Sequence, residues 1–204
     1  MTANNTLKVK ADEVEPIKST KDIAKVKQYL LGKENKRDYT LFTVGINVGL
    51  RAGDLLRLKI KDVLIDDTIV DKVVICEEKT DKKREFDLND SAKSAIRLYL
   101  DTLQGIDYES YLFKSRKGSG ALTVESAHKI IKTTLRELNI KGNYGTHSLR
   151  KTFAYHIYVN NIKNNPTIIN TLQKMLNHSS ASVTLRYIGI TKEVISDVYN
   201  SLNL

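Results

Sequence analysis

Apolar residues recur at helical spacing through the first third of the chain. Ile23, Val26 and Leu30 share one face, with Ser19 or Thr20 ahead of them able to cap a helix. A second helix is expected from Arg37 to Leu50, bent or broken near Gly49, and a short third one carries Leu55, Leu56 and Leu58. After Asp62 the period shifts to β-branched and alternating runs at Val63–Ile65, Thr68–Glu77 and Arg84–Leu88. Charged connectors between them, Asp66-Asp67 and Thr80-Asp81-Lys82-Lys83, predict a small three-stranded antiparallel sheet. Helix returns with Ala92, Ile96, Tyr99, Leu100 and Leu103 and is expected to end near Gly105. A basic, Gly/Ser-rich loop follows at Lys114–Gly120, and Thr123 caps a helix bearing Ala127, Ile131, Leu135 and Leu138. The last third reads as helical pieces: Thr146 to about Val159, a helix with Pro166 in its first turn and Ile168, Ile169, Leu172 and Leu176 on it, and a shorter one from Ser180 or Ser182 that holds Tyr187. A final helix begins at Thr191, with Ile195, Val198, Tyr199 and Leu202 as its apolar stripe. The expectation is one α+β, mostly α domain over residues 19–204. Residues 1–18, which contain Pro16 and lack helical periodicity, read as a leader or linker.

Composition narrows the class. A chain of 204 residues with 41% hydrophobic and 28% charged positions suits one well-cored globular domain. Its 33 Lys and Arg against 24 Asp and Glu give a net charge of +9. Such an excess favours a polyanionic partner, nucleic acid above all, although solubility alone accounts for it equally well. One cysteine, Cys76, excludes an internal disulfide and Cys-based zinc sites; its apolar run, Val73-Val74-Ile75-Cys76, suggests a buried structural thiol in a reducing cytoplasm. The polar N-terminus is neither signal nor transit peptide, and no apolar run approaches the roughly 20 residues of a membrane span.

Several segments could carry phosphoryl-transfer chemistry. That chemistry needs a nucleophile, a proton donor for the leaving alkoxide and fixed cations for the phosphate oxygens. His147 and Arg150 lie three apart at a helix start, on one face and near unpaired backbone N–H groups. Leu176-Asn177-His178 reads as a helix end, because Asn tolerates the left-handed conformation, and Tyr187 follows nine residues later. Arg51 follows an apolar stretch where a guanidinium needs an anionic partner, and Asp54 could orient it. The hairpin Glu78–Arg84 could deliver Lys79 to a site. Taken singly, each has an ordinary explanation: a surface pair, an amphipathic core tyrosine, a structural Arg51–Asp54 ion pair, a solvated turn.

In this order, however, the segments resemble the tyrosine recombinases, also called the phage integrase family. Gly49-Leu50-Arg51 with Asp54 is similar to the family's first arginine box, and Lys79-Thr80 to its catalytic lysine. His147-Ser148-Leu149-Arg150 is similar to its His-x-x-Arg box, and Leu176-Asn177-His178 with Tyr187 to its second histidine and nucleophile. Asn177 stands where the family box usually has Gly. The resemblance runs from about residue 20 to the C-terminus and implies the fold of the tyrosine-recombinase catalytic domain, the DNA breaking-rejoining enzyme core. It implies that Arg51 and Arg150 clamp the scissile phosphate, that Tyr187 attacks it to form a 3′-phosphotyrosine, and that Lys79 protonates the leaving 5′-oxygen. His147 would assist proton transfer at the nucleophile, His178 would hydrogen-bond the phosphate, and Asp54 would support the site. Lys82, Lys83, Lys114, Arg116, Lys117 and Lys151 are expected to contact DNA.

The resemblance further implies a site-specific recombinase or integrase of mobile-element type, used for integration, excision or inversion. It needs no metal or nucleotide cofactor, is monomeric alone and tetrameric on two DNA sites, and is cytoplasmic and nucleoid-associated. The helix at about 191–202 is a candidate for exchange between protomers. A leader of 18 residues is too short for the family's usual core-binding clamp, so the chain is expected to be either a catalytic fragment or one of the compact members, such as the fimbrial phase-switch invertases. Two other readings compete with this one: relaxation of DNA by a type IB topoisomerase, and a DNA-binding module without catalysis. A metal hydrolase built on His147, His156 and His178 lacks a carboxylate–histidine cluster.

Overall fold

Helix caps set the frame. In the computed structural model, which describes residues 13–190 and residue 200, the Ser19 hydroxyl accepts a hydrogen bond from the Asp22 amide and α1 spans Thr20–Gly32. Val26 and Leu30 face inward from it. Asn35 caps α2, Lys36–Val48, in the same way. That helix is buried through Leu41, Phe42, Val44 and Val48, and it stops where Gly49 turns left-handed at φ 60°. The turn puts Arg51 at the cap position of a five-residue helix, α3 (Ala52–Leu56), and a further short helix, α4 (Ile60–Val63), precedes the strands.

The sheet departs from expectation. Instead of three strands in one sheet, the described residues form two separate antiparallel pairs: β1 (Leu64–Ile65) with β2 (Thr68–Ile69), and β3 (Lys72–Cys76) with β4 (Lys83–Asp87). Asp66 and Asp67 both take positive φ, so the first turn is a tight two-residue hairpin. The expected middle strand then breaks at Val70-Asp71. Val70 N–H bonds back to Val63 O, while Asp71 O accepts from Leu88 N–H, so the two sides of the break serve different ladders.

Alternation along β3 explains a second correction. Val73 and Ile75 point inward and Lys72, Val74 and Cys76 outward, so Cys76 is exposed rather than a buried thiol, and its Sγ lies 3.1 Å from Asp81 Oδ1. The next inward position is Glu77, 5% exposed.

The remaining helices are α5 (Asp90–Leu100), α6 (Val124–Glu137), α7 (Thr146–Asn161), α8 (Ile168–Leu176) and α9 (Ala181–Ile188). Asn89, Thr123 and Ser180 cap three of them with side-chain oxygens. Turns carry residues 101–103 beyond the end of α5, and Pro166 sits outside α8, which Thr167 precedes. The final helix expected from Thr191 lies outside the described residues. Among those described, no helix is long and apolar enough to cross a membrane.

Two apolar clusters meet at α7. The larger contains Phe42, Phe113, Ile131 and Leu149; the smaller gathers Phe153, Leu172, Leu176 and Ile188. Close approach of α2 and α7 depends on Gly45, where an added Cβ would stand 2.6 Å from Leu149 Cδ1. Residues 13–18, read from sequence as the end of a leader, lie against α7: Ile17 is 1% exposed and its N–H donates to Thr152 Oγ1. The His156 Nε2 lies 3.0 Å from Ile17 O, so this histidine serves packing rather than a metal set with His147 and His178.

Candidate active site

The end of α2 and the start of α7 bring two arginines together. The left-handed turn at Gly49 exposes its carbonyl oxygen, which accepts from Arg150 Nη1 at 2.7 Å and from Arg84 Nη2 at 3.3 Å. Arg150 Nη2 donates to Leu176 O at 2.8 Å, tying α7 to the end of α8. Arg150 is 4% exposed, and burial, opposed by Tyr187 and reinforced by Arg84 and Arg51, pushes its guanidinium down to about 10. It remains a cation at neutral pH.

Arg51 caps α3 at the same edge. Its Nη1 lies 2.8 Å from Glu77 Oε2 and 3.9 Å from Asp54 Oδ2, as contacts of charge rather than aligned hydrogen bonds. Among the described residues, Arg51 Nη1 and Asp54 Oδ2 are buried side-chain atoms without a hydrogen-bond partner. The other Asp54 oxygen accepts from the Glu78 amide at 2.9 Å, fastening the hairpin to α3.

Tyr187 projects from α9 toward the arginines. Burial raises its hydroxyl pKa, partly offset by the nearby charges of Arg150 and Arg51. Its ring meets His178 edge-on at 4.9 Å between centroids, and Lys151 Nζ sits 4.8 Å from its centroid on another side. His178 follows Asn177, which takes the left-handed conformation at φ 53° and ends α8 as the sequence predicts. The His178 Nδ1 lies 3.1 Å from Thr184 Oγ1, whose hydroxyl also donates to Ser180 O. With that hydroxyl proton committed, Nδ1 carries the ring proton and Nε2 is the open nitrogen.

Both histidines hold protons less tightly than usual. Desolvation and the charges of Arg150 and Arg51 lower the pKa of His178. His147 lies exposed on the first turn of α7, and desolvation, with the charges of Arg150, Lys151 and His128, lowers its pKa as well. Each is therefore neutral at pH 7 and able to accept a proton.

Of the residues singled out in the sequence, Arg51, Asp54, Arg150, His178 and Tyr187 converge, and His147 lies within the field of Arg150. Lys79 stands exposed in the turn between β3 and β4, with Thr80 beside it held by Glu77. Lys82, Lys83, Lys114, Arg116 and Lys117 are exposed. Lys151 is not a surface cation: it is 5% exposed and paired with Glu13 at 2.6 Å. Sequence reasoning passed over Glu77 and Arg84. Burial first pushes the Glu77 carboxyl up, but contacts from Arg51, Thr80 and Arg84 outweigh it and leave the group at about 2. Period-two alternation was the available signal, since Glu77 follows Val73 and Ile75 on the inward face of β3 and Arg84 precedes Phe86 on that of β4.

A model of the phage integrase family matches residues 10–193. A probable integrase/recombinase of Bacillus subtilis (strain 168), YoeC, is 40% identical over 186 residues, covering 91% of this chain and 95% of that one. The tyrosine recombinase XerC of Caldanaerobacter subterraneus subsp. tengcongensis is 30% identical over 83% of this chain and 46% of its own length. This chain thus spans nearly all of the Bacillus relative but about half of the XerC protein. Among solved structures, XerA recombinase superposes with a TM-score of 0.68 at 23% identity, over 94% of this chain and 64% of that one. XerH bound to palindromic difH substrate superposes at 0.66 with 22% identity, over 89% and 51%. These two likenesses concern the fold.

Proposed function

Because the chain belongs to the phage integrase family, the tyrosine recombinases, we propose that it breaks and rejoins DNA at specific sites through a 3′-phosphotyrosine on Tyr187. The observation that carries this reading is that Tyr187, its ring edge-on to His178, stands within the charge of Arg150 and Arg51, with Arg150 fixed by Gly49 O and Leu176 O. A nucleophile beside two fixed cations suits transfer of a phosphodiester, because the cations take up charge growing on the phosphate oxygens.

The residues divide the work. Arg51 and Arg150 hold the non-bridging oxygens. His147, neutral at pH 7, accepts the phenol proton as the tyrosine oxygen bonds to phosphorus. The bond from phosphorus to the 5′-oxygen breaks, and the Lys79 ammonium gives that oxygen a proton. An anion next to His178 raises its hold on a proton, so Nε2 can then donate to the phosphate. Attack by a 5′-hydroxyl from another strand reverses the sequence and joins new partners without external energy.

Duplex DNA is the partner in this reading, and relatives solved with recombination-site DNA support it. Assembly of four copies on two sites would complete a strand exchange. The test uses nicked duplexes made from inverted or direct repeats in the DNA flanking the coding region. A covalent protein–DNA adduct is expected, and Tyr187→Phe should abolish it while DNA affinity stays nearly unchanged. An adduct that persists in Tyr187→Phe would overturn the assignment. Relaxation of plasmids lacking any such repeat would instead favour a topoisomerase.

A further inference from the structure

Glu77 is an acid at the centre of a basic site, and the roles described so far leave it unused. Its two oxygens reach three elements. Oε2 meets Arg51 Nη1 and accepts from Thr80 Oγ1, each at 2.8 Å, and Oε1 accepts from Arg84 Nη1 at 3.2 Å. Its backbone closes the turn as well: Glu77 N–H donates to Lys82 O at 3.0 Å, and Asp81 N–H donates to Glu77 O at 2.9 Å. Lys79 sits in that turn, one residue from Thr80 and one from Glu78, whose amide is held by Asp54.

We propose that Glu77 is the positioning residue that locks the turn carrying Lys79 onto Arg51. The proposal rests on the reading of Lys79 as the proton donor to the leaving oxygen. A lysine on an exposed two-strand hairpin samples many positions, and proton transfer requires it within hydrogen-bond reach of one oxygen. Asp54 and Arg57 fasten the Glu78 side of the turn to α3 and leave the Thr80 side of Lys79 to be held. The Glu77 carboxylate, bound by Arg51 on one side and by Thr80 on the other, holds that side. Glu77 thereby couples the acid to the phosphate clamp without touching DNA.

A substrate that needs no acid tests this. Replacing the 5′-bridging oxygen of the scissile phosphate with sulfur makes the leaving group a thiolate, which departs without a proton. The nicked duplex captured in the Tyr187 experiment is prepared in both forms and cleaved by the full chain, by Glu77→Gln and by Lys79→Ala. Thermal melting confirms that each variant is folded, and Glu77→Asp provides a second replacement that keeps the charge. Glu77→Gln is expected to cleave the oxygen substrate about 10²-fold more slowly, the usual scale of lost general-acid catalysis, and the sulfur substrate at nearly the unsubstituted rate. Glu77→Asp should recover part of the oxygen-substrate rate. An equal defect on both substrates would place Glu77 in the arginine clamp or the fold and overturn the proposal, as would an unimpaired Glu77→Gln. If Lys79→Ala is rescued by sulfur and Glu77→Gln is not, the positioning role alone fails. If Lys79→Ala is not rescued either, the proton-donor reading fails and takes this proposal with it.

Discussion

Arg150 makes its hydrogen bonds to carbonyl oxygens 101 and 26 residues away in the chain, so one side chain joins the ends of α2 and α8 to α7. Arg150→Ala removes a preorganised donor and should slow adduct formation by about 3 kcal/mol of activation free energy or more. It also strands the Leu176 carbonyl and leaves Gly49 O to Arg84 alone, so a urea titration should show roughly 1–3 kcal/mol less stability. Catalytic and structural losses are thus expected together at this residue. Glu77 leaves its mark in acid. Its folded pKa of about 2 lies below its ordinary 4.5, so the stabilisation is complete above pH 4.5 and is lost as pH falls toward 2. That difference corresponds to something on the order of 3 kcal/mol. Unfolding followed between pH 5 and pH 2 should lose stability steeply, and Glu77→Gln should flatten the slope in that window. Arg51, Arg150, His178 and Tyr187 could be read from the sequence because each sits in a short local motif. Glu77 and Arg84 could not be read that way, since their meaning comes from a strand face and from partners on other elements.

At the scale of elements, caps carried most of the legible information. Ser19, Thr123 and Ser180 each stand where a side-chain oxygen takes an orphan amide, and the helices begin there. Asn177 ended α8 in the left-handed conformation foreseen for it. Asn177→Gly should be neutral or stabilising by up to about 1 kcal/mol, because glycine adopts that conformation without a Cβ clash. Asn177→Leu should cost roughly 1–2 kcal/mol and displace His178, read as a fall in both melting temperature and cleavage rate. The sheet was less legible. Thr68–Glu77 looks continuous by residue type, and only the partners chosen by Val70 and Asp71 divide it. Local propensity contains no term for that choice, which depends on where Val63 and Leu88 arrive.

For the whole molecule, the distribution of charge matters more than its sum of +9. Lys82, Lys83, Lys114, Arg116 and Lys117 are exposed, whereas Lys151 is spent on Glu13 and the Tyr187 ring. Affinity for duplex DNA should therefore fall linearly with salt on logarithmic axes. Each exposed cation that neutralises a phosphate adds about 0.9 to the slope, so replacing Lys114, Arg116 and Lys117 together by alanine should flatten it by up to roughly 3. Lys151→Ala should leave the slope as it is and alter cleavage, an outcome that filter binding and adduct assays would separate. The Gly49 carbonyl acts on this same large scale. Two cations lean on one oxygen, so a rotation of that peptide plane would take a contact from Arg84 and Arg150 in the same instant. Arg150 would then hang on Leu176 O alone and Arg84 on Glu77 alone, so a single backbone hinge retunes both guanidinium groups together.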